Sequence, residues 1–232
     1  MSNLENNYRR VEDQIHSACS MAGRERGDVL LIAVSKNQSI AAIEDLYELG
    51  LRHFGESRVQ ELLTKKDQLP NDIHWHFIGH LQSNKARQIA PFIETVHSID
   101  SQDTARELSK RAGEHQRTIG VLIEINISGE QQKNGVRPSD AVSLIETVAK
   151  ECQNLIPVGL MGMASYEEDP EHTRPQFLLL RSLRDSITER HPELKAFKEL
   201  SMGMTNDFEI AIECGATMVR IGSALFSVTH HS

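Results

Sequence analysis

Lys36 stands directly after Val29-Leu30-Leu31-Ile32-Ala33-Val34-Ser35, a run of seven apolar or small residues. A lysine in that position emerges from the carboxyl end of a buried strand, with its amine beyond the strand. Where the surroundings disfavour the ammonium form, such an amine attacks a carbonyl and forms a Schiff base. The same position equally suits a strand-end lysine whose stem packs while its head reaches water. Towards the C-terminus, Ser201-Met202-Gly203-Met204 and Arg220-Ile221-Gly222-Ser223 each join a short apolar segment to a helix-like one. Glycines there let backbone N–H groups approach a phosphate, and the Ser201 and Ser223 hydroxyls add donors. Each segment alone reads as a turn. Together with the lysine they describe a phosphate-bearing aldehyde held at both ends.

The elements that must position these residues follow from periodicity. Leu4, Val11, Ile15, Ala18 and Met21 recur at helical spacing, which predicts a helix over 4–22. Short apolar runs then alternate with amphipathic stretches. Strands are predicted at 29–35, 52–55, 73–79, 95–100, 119–127, 156–163, 199–201 and 217–222, with Pro157 marking the first residue of the sixth. Helices fall between them, one capped by Ser39 and ended by Gly50, one opened by Ser139, and one over 205–214. Eight strands, each followed by a helix, plus one extra N-terminal helix, predict an α/β fold: a single (β/α)8 TIM-type barrel over residues 1–232. The length agrees with the usual size of about 250 residues. An open doubly wound sheet gives the same alternation, but strand count and length favour the barrel. In a barrel the strand ends bearing Lys36, Ser201, Gly203, Arg220, Gly222 and Ser223 meet at one mouth.

Composition removes several classes of function. Lys and Arg total 25 against 33 Asp and Glu, a net charge of -8, which opposes general binding to nucleic acid or an anionic membrane. The first residues are polar, without the apolar core of a secretory leader, and no run approaches the roughly 20 apolar residues of a membrane span. Cys19, Cys152 and Cys214 are scattered and odd in number, as expected of free thiols in a reducing cytoplasm. His74 and His76 share one face of a strand, but no further ligand set accompanies them, so core or pocket-lining histidines are preferred over a metal site. The polar segment 129–135 reads as a solvated turn rather than a lid, and the acidic stretch 164–172 as a solvated loop.

AVSK at 33–36, HFGE at 53–56, WHFIGHLQSNK at 75–85, INIS at 125–128, GLMGM at 159–163, LSMGM at 200–204 and VRIGSALF at 219–226 fall in order across almost the whole chain. In these segments the chain resembles the YggS/PROSC group, the pyridoxal 5′-phosphate (PLP) homeostasis proteins. The resemblance implies a barrel of the alanine-racemase N-terminal type with PLP linked to Lys36. It further implies phosphate contacts at Ser201, Gly203, Gly222 and Ser223, with Arg220 facing the pyridine nitrogen. A permanent cation there disfavours protonation of the ring and weakens the cofactor as an electron sink. Three positions depart from the family pattern: Ser57 replaces a usual Asn, His80 a usual Pro, and Gln38 a second Lys.

The function so implied is a cytoplasmic carrier in vitamin B6 homeostasis. It holds, buffers or delivers PLP without substantial turnover and acts as a monomer, with PLP-dependent apo-enzymes as its acceptors. The alternative is a PLP enzyme of the amino-acid racemase type. A two-base racemase needs a second acid–base group opposite the lysine, and Tyr166 is the only tyrosine expected near the mouth, Tyr8 and Tyr47 lying in helices. A cofactor-free Schiff-base aldolase is weaker still, because its lysine usually sits on a later strand.

Overall fold

Eight parallel strands pair in chain order and close, β8 against β1. They are β1 (Leu30–Val34), β2 (His53–Glu56), β3 (His74–Phe77), β4 (Thr95–Ile99), β5 (Ile119–Ile125), β6 (Leu155–Gly162), β7 (Glu199–Ser201) and β8 (Met218–Ile221). The computed structural model describes residues 3–130 and 132–227. The helices of these residues are α1 (Asn3–Met21), α2 (Ile40–Glu48), α3 (Val59–Lys66), α4 (Ala86–Ile89), α5 (Gln102–Glu114), α6 (Ala141–Glu151), α7 (Arg174–Arg190), α8 (Phe208–Glu213) and α9 (Ser223–Phe226). None of the helices described is long and apolar enough to cross a membrane. The open-sheet alternative fails on the β1–β8 pairing, which places Ile32 opposite Arg220.

Alternation along each strand sorts side chains between two environments. Leu31, Ala33, Phe54, Trp75, Phe77, Val121, Ile123, Leu200, Val219 and Ile221 point outward and join the large apolar layer between strands and helices. The inward positions between them include His53, His76, His97, Ser201 and Arg220. Packing of α1 against α2, α8 and α9 adds the extra N-terminal helix to the outer ring. It is fastened there by Asn7, whose side-chain amide donates to the Leu225 and Ser227 carbonyls at 3.0 and 2.8 Å.

Local signals place most element ends. Ser39 caps α2 by accepting from the Ala42 N–H at 3.2 Å, and Gly50 follows the helix at φ +99°. Most strands are a residue or more shorter than their apolar runs, and three further differences have an identifiable cause. Pro157 is the third residue of β6, not its first; pairing with β5 shifts between Val121 and Leu122, and this bulge absorbs the missing N–H. Ser139 lies in a short 3-10 turn, and α6 starts only at Ala141. Residues 204–207 form a turn before α8, because the Asp207 carboxylate accepts from the Met204 N–H at 2.6 Å.

Candidate functional site

At the carboxyl ends of the strands lies a cavity of about 880 Å³, towards the upper end of the range usual for small-molecule sites. Lys36, Arg220, Gly222 and Ser223 all line it. The closed barrel therefore gathers four of the six residues singled out in the sequence, from loops almost 190 positions apart (223 − 36 = 187).

Lys36 and Asn37 are the central residues of a tight turn, closed by a hydrogen bond from the Gln38 N–H to the Ser35 carbonyl at 3.0 Å. Asn37 takes φ +61°, a conformation asparagine tolerates better than most side chains. Both flanks of Lys36 are gripped by one buried network. Lys65 Nζ donates to the Ser35 carbonyl (2.6 Å), Glu56 Oε1 (2.7 Å) and Glu61 Oε1 (2.6 Å). Glu56 Oε1 accepts from the Ser35 hydroxyl at 2.7 Å, and Glu61 Oε1 from the Asn37 N–H at 2.5 Å. Burial pushes the Glu56 carboxyl upward against the pull of Lys65. At Glu61 partial burial acts the same way, but the bonds from Lys65 and the Asn37 N–H together outweigh it and bring the carboxyl down. The sequence displays these residues in HFGE and the following helix, but nothing in their spacing reveals that they brace Lys36.

Arg220 is buried at the cavity floor, where Nη1 donates to Ser201 Oγ at 2.6 Å and Nη2 to the Gly162 carbonyl at 3.2 Å. Burial lowers it to about 10, with the Asp207 and Glu124 carboxylates acting in the opposite direction, so it stays a cation at neutral pH. Ser201 and Gly203 do not line the cavity. The Ser201 hydroxyl lies inside the barrel, committed to Arg220 and to His97 Nδ1 at 2.8 Å. Gly203 has φ +91°, and a Cβ there would sit 2.6 Å from Ala211 Cβ and 2.9 Å from Phe208 Cα. Its glycine is required for the close passage of α8.

Glu124 is a cavity residue that the sequence reading misses. It faces inward on β5 and lines the cavity. Burial, helped by repulsion from the Asp100 carboxylate, pushes it up to about 7, while Arg220 and His80 pull the other way. Of the departing positions, Ser57 and His80 line the cavity, and His80 Nδ1 is 3.1 Å from Asp100 Oδ2. The two loops read as solvated both border the mouth. Lys133 pairs with Glu130 at 2.5 Å and reaches the Ala164 carbonyl at 3.3 Å, while Tyr166 lines the rim and is 82% exposed. His74 and His76 do not line the cavity: His76 is buried in the barrel interior below it, while His74 is exposed at the start of β3. Among the described residues no group of three or more His, Cys, Asp or Glu side chains could hold a metal ion.

The alanine racemase N-terminal domain family matches residues 1–230. The pyridoxal phosphate homeostasis protein of Aquifex aeolicus is 43% identical over 218 residues, covering 94% of each chain. The human protein of the same name is 36% identical over 237 residues, covering 97% of this chain and 86% of its own. This chain belongs to the pyridoxal phosphate homeostasis protein family. Among solved structures, PipY of Synechococcus elongatus with PLP bound superposes with a TM-score of 0.80 at 35% identity, over 92% of this chain and all of that one. Alanine racemase of Clostridium difficile shares the fold, with a TM-score of 0.75 at 15% identity, and this chain spans 57% of its length. The family's relatives are thus named as homeostasis proteins, while the fold is shared with PLP enzymes.

Proposed function

We propose that this chain binds PLP in the cavity at the barrel mouth and acts as its carrier, with no substantial turnover of its own. The observation that carries this reading is the meeting of Lys36, Arg220, Gly222 and Ser223 around one cavity in a member of this family. The donor set suits the group. Lys36 offers an amine for covalent attachment at one wall, and Ser223 and Thr205 offer hydroxyls, 3.1 Å apart, at the ends of β7 and β8 for the phosphate. Gly222 adds backbone close to that point, while Ser201 acts at one remove by holding Arg220 and Gly203 by letting α8 pass close. When bound, PLP supplies a carbonyl and an electron-withdrawing ring. The chain's contribution is to mute that ring: the Arg220 guanidinium, kept charged by Asp207 and Glu124, opposes a proton on the pyridine nitrogen.

Release to PLP-dependent apo-enzymes would complete the carrier role, with the chain working as a cytoplasmic monomer. The three free, buried cysteines suit a reducing compartment. Tyr166 at the rim favours amino-acid racemisation as the second reading, since it is a tyrosine bordering the same cavity as Lys36. Borohydride treatment of the protein loaded with PLP should leave a pyridoxyl group on the peptide containing Lys36, and Lys36→Ala should lose the visible absorbance. A label confined to another lysine overturns the assignment. Turnover of even a few per second in an amino-acid screen, within the ordinary enzyme range, replaces the carrier reading by the racemase.

A further inference from the structure

The interior of an eight-stranded barrel is usually filled by branched apolar side chains in layers. Here Ile32, Leu122 and Met161 are buried but stand apart from the outer apolar cluster. They share the inward face with an unbroken hydrogen-bonded line. His53 Nδ1 lies 3.0 Å from His76 Nε2, and His76 Nδ1 lies 2.9 Å from His97 Nε2. His97 Nδ1 is 2.8 Å from Ser201 Oγ, which accepts from Arg220 Nη1 at 2.6 Å. His76, His97, Ser201 and Arg220 are all buried. The line runs from the amino-terminal end of the barrel to the cavity floor.

A neutral imidazole has one donor and one acceptor nitrogen, so two ring-to-ring hydrogen bonds can form only if the rings point in the same sense. The sense is set at Ser201: a guanidinium only donates, and His97 Nδ1 is the acceptor within reach of the Ser201 hydrogen. Ser201 Oγ accepts from Arg220, and the Ser201 hydrogen then goes to His97 Nδ1. His97 must carry its proton on Nε2 and donate to His76 Nδ1. His76 in turn donates from Nε2 to His53 Nδ1, which leaves the His53 Nε2–H at the open end.

We propose that His53, His76 and His97 are positioning residues: a single-sense column of neutral imidazoles that orients Ser201 and thereby holds the Arg220 guanidinium at the cavity floor. Its consequence for a bound ligand rests on the PLP reading, but the column itself does not. Burial keeps the rings neutral, lowering His53 to about 4 and His76 to about 3, and holding His97 well down. The charged and titratable groups around the column are few. His74 stacks on His53 at 4.7 Å, with Glu94 3.8 Å beyond it, and Glu199 occupies the same inward face of β7 two residues before Ser201. At the inner end Arg220 faces His97, and Glu124 and Asp207 face Arg220. A proton added at His53 makes both of its nitrogens donors. Every ring must then reverse, His97 donates to Ser201, and the Ser201 hydrogen loses its acceptor. Acid entering at the open end therefore loosens the cavity floor.

The column is tested first in protein without added PLP, labelled with nitrogen-15 at histidine. At pH 7 the imidazole shifts should place the proton of both His76 and His97 on Nε2, with scalar couplings between rings across the two N–H···N bonds. Opposite tautomers in these two rings, or a charged ring at pH 7, overturn the proposal. The second measurement is PLP affinity and the bound pyridine nitrogen-15 shift in His97→Phe and His97→Asn. Loss of the acceptor in His97→Phe should weaken binding about tenfold, the lower end for a hydrogen-bonded charge, and move the ring shift. His97→Asn, whose amide oxygen can accept from Ser201, should recover most of both. Unchanged affinity and shift in a folded His97→Phe overturn the positioning role, and if that variant fails to fold, the wild-type tautomers still decide. Wild-type protein that shows the tautomers yet does not bind PLP refutes the carrier reading and leaves the column standing.

Discussion

Replacing Lys65 by Met keeps most of the side chain's apolar stem and removes the charge that compensates Glu56. All three ammonium donors are in use, and the pair is enclosed: the Lys65 side chain is 6% exposed and that of Glu56 fully buried. Deleting one partner of a buried pair costs about 3–5 kcal/mol, because the other charge is left in a medium that solvates it poorly. For a chain of this size each kcal/mol moves the melting temperature by roughly 2–4 °C, so Lys65→Met should melt about 6–20 °C lower. Glu56, already raised by burial, loses its counter-ion and rises further, so lowering the pH to protonate it should narrow the gap. The double variant Lys65→Met/Glu56→Gln removes both charges and should melt well above the single one. PLP affinity should fall in Lys65→Met, since the carbonyl before Lys36 and the carboxylate holding the Asn37 N–H both lose their anchor. Thermal melts followed by circular dichroism, with a PLP titration of each variant, provide the readout. A single variant melting within about 3 °C of wild type, or a double variant no more stable than the single, refutes the reasoning.

Glu124 sits at about 7 with burial as the main cause, so rising pH through neutrality adds negative charge to the cavity wall. PLP affinity of wild type relative to Glu124→Gln should therefore drop by roughly 1 kcal/mol, about fivefold, between about pH 6 and 8; parallel pH profiles of the two proteins would remove Glu124 from the site. Gly159→Ala would put a Cβ 1.9 Å from the Glu199 carbonyl oxygen and force β7 away from β6. That should cost about 3 kcal/mol or more in urea unfolding. Gly27→Ala, with nothing within 4 Å of the new atom, serves as its control and should stay within about 0.5 kcal/mol of wild type.

Much of the barrel was legible because its outer layer obeys local rules. Apolar residues at period two and helical stretches at a period of about 3.6 give the order of elements, and Ser39 and Gly50 mark helix ends through backbone chemistry that needs no distant partner. The boundaries that moved did so through longer-range contacts. Pro157 enters β6 only because the β5 pairing slips beside it, and the helix after β7 starts late because Asp207 folds back onto Met204.

The sequence by itself determined that a lysine follows the first strand closely, that glycine and serine stand at the ends of the last two, and that these ends share a mouth once the strands close. Those are consequences of residue type and periodicity. Tertiary structure alone decided how each group is used. Ser201 and Gly203 look like a phosphate loop in the chain, yet one hydroxyl is spent on Arg220 and His97 and the glycine makes room for α8. The acidic and polar loops look solvated, yet they wall the cavity because Lys133 reaches across to Ala164. His53, His76 and His97, from three strands, look like unrelated core residues. Only closure of the barrel brings their rings within 3.0 Å of one another, where the shortage of donors and acceptors in a buried interior obliges them to act in line.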